Sequence, residues 1–430
     1  MRLEKYQEIV GGRLKHSGHD YLELAKEYGT PLYIFDEASF RDRILAYRQA
    51  VETSAFETEV LYASKALLTK AIARIIAELG IGQDVVSAGE IYTGVSNGIN
   101  PSKMYFHGNN KLNQEIRYAI ENRVGTIVVD NRMEVGRVSQ IAEELGTKQR
   151  VLLRLNPGVE AHTHEYIATA NLDSKFGESV FDEDIFEVIQ SMVDSPYLDF
   201  AGFHSHIGSQ IFETDSFYKA ASELLRFSAD VQKRLNIEIT EINFGGGFGV
   251  YYTSEDQPFN VADFLPGFMN FVQEEAQTLG VPLKKVTIEP GRSLVNASGS
   301  TLYEIGDLKH TAGGKDYAFI DGSMNDNIRP ALYQAKYEAI AVGKADQVAD
   351  VTYTLAGKAC ESGDKIIEGI ELPTLATGDL VLVNGTGAYN YSMASNYNRI
   401  PRPAMIHVNH DAHYLTVKRE SFEEMSMREL

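Results

Sequence analysis

The sequence predicts an α/β chain with a β appendage: a (β/α)8 TIM-like barrel followed by a mostly β C-terminal domain. Short apolar runs alternate with longer amphipathic runs eight times between residues 59 and 290. Beyond residue 296 the rhythm changes to short strand-like runs divided by Gly, Asp and Asn. A chain of 430 residues is long enough for two or three domains with a large core. Strand–helix alternation implies parallel β-α-β units, and eight such units close a barrel.

Each element follows from local pattern. EVLYAS (59–64) reads as the first strand, with a helical stretch over 65–80. QDVVSA (83–88), MYFHGN (104–109), TIVVDN (126–131) and RVLLRLNP (150–157) are the next four strands. The helical runs 89–98, 111–123 and 132–146 separate them. The insertion at 158–180, a candidate lid, precedes a helix over 181–194. FAGFHSHIG (200–208), EINFGGG (241–247) and KVTIEP (285–290) complete the barrel, with helices over 216–235 and 261–280 between them. Apolar residues recur at helical spacing in the long runs, and Val, Ile, Phe and Tyr fill the short ones. This places a barrel at 36–295 and a β domain formed by 1–35 with 296–430.

The formal net charge of −20 argues against general binding to nucleic acid or an anionic membrane. Cys360 is the single cysteine, so no intrachain disulfide forms. The first 18 residues lack the apolar core of a signal peptide, and no run of about 18 apolar residues occurs. A cytoplasmic protein with a small-molecule substrate is expected, and no metal site is read.

In a barrel of this type the active site lies at the C-terminal ends of the strands. Unusual polar residues stand there: Lys65, Asp84, Ser87, His107, Asn109, Arg154, Asn156, His204, His206, Gly245, Gly246, Gly247, Glu289 and Arg292. Singly, each has a plain reading. A lysine after a strand is usually solvated, a lone histidine is usually a hydrogen-bonded structural group, and three glycines in a turn mostly report backbone geometry. EPGR (289–292) alone is a turn with an ion pair. Together they place a lysine, histidines, a glycine turn and a carboxylate at different strand ends of one barrel. A lysine of lowered pKa condenses with an aldehyde. Backbone N–H groups of a glycine-rich strand-to-helix turn donate to a phosphate. An imidazole lies flat on an aromatic ring, and a carboxylate keeps a pyridine nitrogen protonated, making the ring an electron sink.

YASKA (62–66), HSHIGSQ (204–210), NFGGGFG (243–249), EPGR (289–292), CESGD (360–364) and GAY (387–389) resemble the fold-type III pyridoxal-phosphate decarboxylases. These are alanine-racemase-like barrels, and the resemblance covers about residues 25–410. DVVSAGE (84–90), HGNNK (107–111), SKFG (174–177) and NDNIRPALY (325–333), with CESGD, resemble the branch that acts on diaminopimelate. The resemblance implies pyridoxal 5'-phosphate as cofactor, decarboxylation of meso-2,6-diaminopimelate to L-lysine, and a homodimer with shared active sites.

It further implies that Lys65 binds the cofactor aldehyde and His206 stacks on its ring. Ser209, Gly245, Gly246, Gly247 and Gly291 hold the phosphate with help from Tyr389, and Glu289 pairs with the pyridine nitrogen. Arg292, Arg329 and Tyr333 bind the distal part of the substrate. Cys360 supplies the proton to the product carbanion, Glu361 reads the second amino group, and both reach the other subunit's site.

Departures from the family pattern occur at 168–177, at Ser205 in place of a usual Cys, and at Lys358 and Ala359 in place of Pro and an apolar residue. The Lys358 change falls in the loop near the substrate. The competing expectations are a decarboxylase of ornithine, arginine or carboxynorspermidine, a racemase-type isomerase, and a non-catalytic cofactor-binding homologue. A cationic distal end would call for acidic residues, whereas Arg292 with Arg329 suits a carboxylate.

Overall fold

The computed structural model describes residues 2–52, 55–159 and 174–430. Residues 160–173, which make up most of the insertion expected as a lid and much of the 168–177 stretch, lie outside the described residues. The chain divides into two compact units. One comprises Ile44–Gly249 and Pro258–Ser293; the other comprises Met1–Arg43, Val250–Gln257 and Leu294–Leu430.

The first unit is a closed barrel of eight parallel strands. They are β1 (Glu57–Ala63), β2 (Gly82–Val85), β3 (Met104–Phe106), β4 (Thr126–Val129), β5 (Gln149–Asn156), β6 (Leu198–His204), β7 (Glu241–Asn243) and β8 (Lys285–Ile288). Each strand pairs with its chain neighbour, and β8 closes on β1 through Lys285 opposite Glu57. Leu61, Tyr105, Val128, Leu152 and Ala201 from five strands form a cluster of buried side chains. At the N-terminal ends the fully buried Glu241 accepts hydrogen bonds from Tyr105 Oη (2.5 Å) and Arg150 Nη2 (2.7 Å). The charge there serves stability rather than chemistry, since catalysis in such barrels uses the opposite face.

Seven helices of eight residues or more follow the first seven strands: α1 (Lys70–Leu79), α2 (Ala88–Val95), α3 (Asn113–Glu121), α4 (Arg132–Glu144), α5 (Ile185–Asp194), α6 (Asp215–Leu235) and α7 (Val261–Leu279). The helix expected from residue 65 starts five residues later. Thr69 caps it, its side chain accepting from Ile72 N at 3.2 Å. Lys65 sits instead on a 3-10 turn, Ser64–Ala66.

The second unit is mostly β. Its large sheet runs Lys365–Leu372, Val351–Ala356, Asp316–Ile320, Gly299–His310, Leu32–Asp36, Ala404–Val408, His413–Val417. The N-terminal strand Leu32–Asp36 is thus interior, antiparallel to Gly299–His310 and parallel to Ala404–Val408. The strands Gly299–His310 and Lys365–Leu372 were not expected from the sequence. Residues 36–43 and 250–257, expected with the barrel, group with this unit. Asp36 ends a strand of its sheet, and Tyr252 is buried in its core beside Tyr303, Ile305 and Tyr337. Among the described residues no helix is long and apolar enough to cross a membrane.

Candidate active site

Lys65 follows β1 directly. Its side chain is exposed, while Ser64 and Ala66 on either side are buried. The turn is braced from several directions: Gln83 Nε2 donates to Ser64 Oγ (2.6 Å), Tyr62 Oη to Leu67 O (2.6 Å), and Ala63 N to Pro290 O (3.2 Å). A braced backbone that leaves the lysine side chain exposed suits a nucleophilic amine.

Glu289, just past β8, is buried and held by residues from three other strand ends. His107 Nε2 lies 2.7 Å from Oε1 and His204 Nε2 3.1 Å from Oε2, while Asn243 Nδ2 donates to Oε1 at 2.7 Å. Burial alone would raise the Glu289 carboxyl, but His107 and His204 outweigh it and hold the group well below the usual carboxylate range. Burial drives His204 the other way, down to about 3 despite the neighbouring carboxylate. Asp84, with Oδ1 3.8 Å from His107 Nε2, is raised, chiefly by burial. The ligand atoms of His107, His204 and Glu289 lie within 4.8 Å of one another. Nε2 of each imidazole already points at a carboxylate oxygen at hydrogen-bonding distance, so the group is a clasp on a carboxylate. An ion with bonds of about 2.0–2.1 Å would have to push the partners apart.

Next to it, Gly246 N donates to His206 Nδ1 (3.2 Å), orienting the ring. Burial, then the charges of Lys65 and Arg154, keep His206 well below the ordinary histidine value. Gly245 N donates to Asn243 Oδ1 at 2.9 Å. The glycines of the turn therefore serve close approach as well as any phosphate. A Cβ at Gly246 would sit 2.2 Å from Glu289 O, and Gly245 and Gly247 have φ of +66° and +107°. A Cβ at Gly291 would lie 2.8 Å from that of Ala63. Ser209 Oγ accepts from Arg292 Nε and Nη2, both at 3.1 Å, and the next residue, Gln210, is strained at φ 63°.

Other strand-end residues make local contacts. Ser87 caps α2, accepting from Glu90 N, and Asn156 Oδ1 accepts from Gly158 N in a turn. Asn109 O accepts a long 3.5 Å bond from Asn131 Nδ2. Arg154 lies over the Phe176 ring at 4.4 Å, and Gly177 (φ +73°) leaves no room for a Cβ against it, so SKFG is seated on this arginine. Lys111, named only as part of HGNNK, is buried. Its Nζ meets Glu134 Oε2 (3.0 Å), Gly108 O (2.8 Å) and Val128 O (2.7 Å). Lys111→Met should cost about 3–5 kcal/mol by stranding the Glu134 charge. Urea midpoints will read it, and adding Glu134→Leu should recover part of the loss.

The remaining expected residues belong to the β unit. Arg329 is buried at the start of the short helix Arg329–Tyr333, whose last residue is Tyr333. Its Nη1 donates to Tyr337 Oη (2.6 Å) and its guanidinium lies 4.8 Å from the Tyr252 ring centre. Tyr252 and Tyr337 were not singled out from the sequence. Cys360 and Glu361 are exposed on a loop, with Cys360 N donating to Asn398 Oδ1 at 2.7 Å. Asp364, the last residue of CESGD, is buried and anchors that loop, accepting from Ala359 N (2.8 Å) and Met324 N (2.6 Å). Tyr389 holds φ 64°, a conformation a tyrosine adopts only when its surroundings impose it.

A lysine amine at a barrel mouth, an ionised buried carboxylate and a turn that admits only glycine fit the aldehyde, ring nitrogen and phosphate of pyridoxal phosphate. Residues 37–296 match the family model for the pyridoxal binding domain of pyridoxal-dependent decarboxylases, and the chain belongs to that family. The family's cofactor is pyridoxal phosphate. Diaminopimelate decarboxylase of Bacillus subtilis is 44% identical over 96% of this chain and 94% of its own length. The enzyme of that name from Staphylococcus aureus is 39% identical, with 98% of both chains covered. The crystal structure of diaminopimelate decarboxylase from M. jannaschii in complex with L-lysine superposes with a TM-score of 0.93 at 32% identity, covering 99% and 98% of the two chains.

Proposed function

We propose that the protein is a carboxy-lyase that converts meso-2,6-diaminopimelate to L-lysine and CO2, the last step of lysine biosynthesis, as a cytoplasmic homodimer with shared active sites. The clasped, ionised Glu289 is the observation that carries the chemistry: a carboxylate kept charged in a buried site has a protonated ring nitrogen as its natural partner. Pyridoxal phosphate, when bound, supplies the ring that takes up the electron pair left as CO2 departs.

Lys65 Nζ would hold the aldehyde and His206 would pack against the ring. Ser209, the turn 245–247 and Gly291 take the phosphate, with Tyr389 closing on it. Arg292, Arg329 and Tyr333 receive the distal end of the substrate. Cys360 of the partner subunit returns a proton from Sγ to the substrate α-carbon, and the partner subunit's Glu361 reads the second amino group.

CO2 release from meso-, LL- and DD-diaminopimelate, ornithine and arginine tests this directly. Preference for the meso compound is expected; preference for ornithine or arginine would overturn the substrate assignment. Arg329→Ala should weaken diaminopimelate far more than a shorter monocarboxylate analogue, by about 1.5–3 kcal/mol for a lost charged hydrogen bond. Equal losses for both ligands, measured by competitive inhibition, would make Arg329 structural.

A further inference from the structure

Glu289 has two carboxylate oxygens, each with two acceptor positions. His107 and Asn243 both reach Oε1, at 2.7 Å each, and His204 reaches Oε2 at 3.1 Å. Three of four positions are therefore taken by donors that come from the ends of β3, β6 and β7. The histidine tautomer follows from the same contacts. His204 Nδ1 is buried without a hydrogen-bond partner among the described residues. A proton there would be an orphaned donor, whereas a proton on Nε2 meets a carboxylate oxygen. His204 is thus a neutral ring with its N–H on Nε2.

We infer that His107, His204 and Asn243 position Glu289 so that one acceptor site stays open, on Oε2, and that this atom receives the ring N–H of the cofactor. His204 is then a positioning residue: it shares Oε2 with the ring nitrogen and fixes the direction in which that oxygen's remaining lone pair points. The inference rests on the assignment of Glu289 to the ring nitrogen. It adds which oxygen acts and which side chains aim it. Asp84 Oδ1, 3.8 Å from His107 Nε2, is too distant to take that nitrogen's hydrogen bond from Glu289.

The test compares two amide substitutions that differ only in where they place a donor. His204→Gln carries an N–H close to the Nε2 position; His204→Asn carries it near Nδ1, out of reach of Glu289. Each holoenzyme is loaded with pyridoxal phosphate labelled with 15N in the ring. The ring-nitrogen shift is followed with pH, and cofactor retention is measured by equilibrium dialysis. With His204→Gln the shift should stay at its wild-type value. With His204→Asn the ring nitrogen should lose its proton at lower pH, and the cofactor should dissociate roughly tenfold more readily, as for one lost charged hydrogen bond. Equal shifts and equal retention in the two variants would overturn the positioning role.

Glu289→Gln serves as the reference. If it leaves the ring nitrogen protonated as in wild type, the Glu289 assignment itself falls. If it deprotonates the ring while His204→Asn does not, the assignment stands and only the clasp is wrong. Should His204→Asn fail to fold, His107→Gln against His107→Asn asks the same question at Oε1. The proposal requires the Asn variant alone to shift, and identical behaviour of the pair sinks it.

Discussion

Lys65→Ala should abolish turnover and the visible absorbance of bound cofactor while leaving the fold intact. The chemical reason is that the proposed mechanism makes Nζ the covalent anchor for the aldehyde, and no other lysine follows a barrel strand at this position. The structural reason is that the hydrogen bonds bracing the turn come from other residues. Ser64, Ala66 and Tyr62 are buried, and their neighbours' hydrogen bonds to Gln83, Leu67 and Pro290 involve no lysine atom. An exposed side chain removed from such a turn should change stability by no more than about 0.5 kcal/mol. Thermal melting of the cofactor-free protein measures that part separately from catalysis. Wild-type turnover in the variant would remove Lys65 from the mechanism.

The barrel strands were legible because most are short runs buried along nearly their whole length, as in Thr126–Val129 and Lys285–Ile288. The strand Gly299–His310 was harder. Gly299–Tyr303 are continuously buried and the rest is mostly exposed, and its pairing shifts register between Ile305 and Asp307. No single period describes it. The insertion of Leu32–Asp36 beside it is a pairing across more than 260 residues of chain, which local pattern does not encode.

The site divides the same way. Strand-end logic found Lys65, His107, His204 and Glu289 individually. That the two histidines and Asn243 converge on one carboxylate needed the barrel to close, because positions 107, 204, 243 and 289 come from four different strand ends. Lys111 and Asp364 were visible only as letters in motifs. A charged residue is ordinarily exposed, so sequence alone favoured solvent for both, and only their partners explain the burial. Conversely Ser87 and Asn156 stand where catalytic groups would, yet their oxygens serve a helix cap and a turn.

Mixing two inactive variants should restore activity. Cys360 lies on an exposed loop of the β unit and Lys65 on the barrel unit, and the proposed two-fold dimer completes each barrel mouth with the loop of the other subunit. Lys65→Ala alone is expected to be inactive, and Cys360→Ala alone strongly impaired. The Cys360 loop should survive substitution, since its shape depends on Asp364 and on the backbone bond from Cys360 N to Asn398 rather than on the thiol. After subunit exchange, half of the dimers at equal input are mixed. A mixed dimer has one site with both wild-type Lys65 and wild-type Cys360 and one site with neither. Activity should therefore recover to about a quarter of the wild-type value, by counting sites in closed two-fold dimers. Exchange itself is verified independently, by tagging one variant and recovering the untagged partner with it. If exchange is complete and activity does not return, both residues act within one subunit's site and the shared-site dimer is wrong.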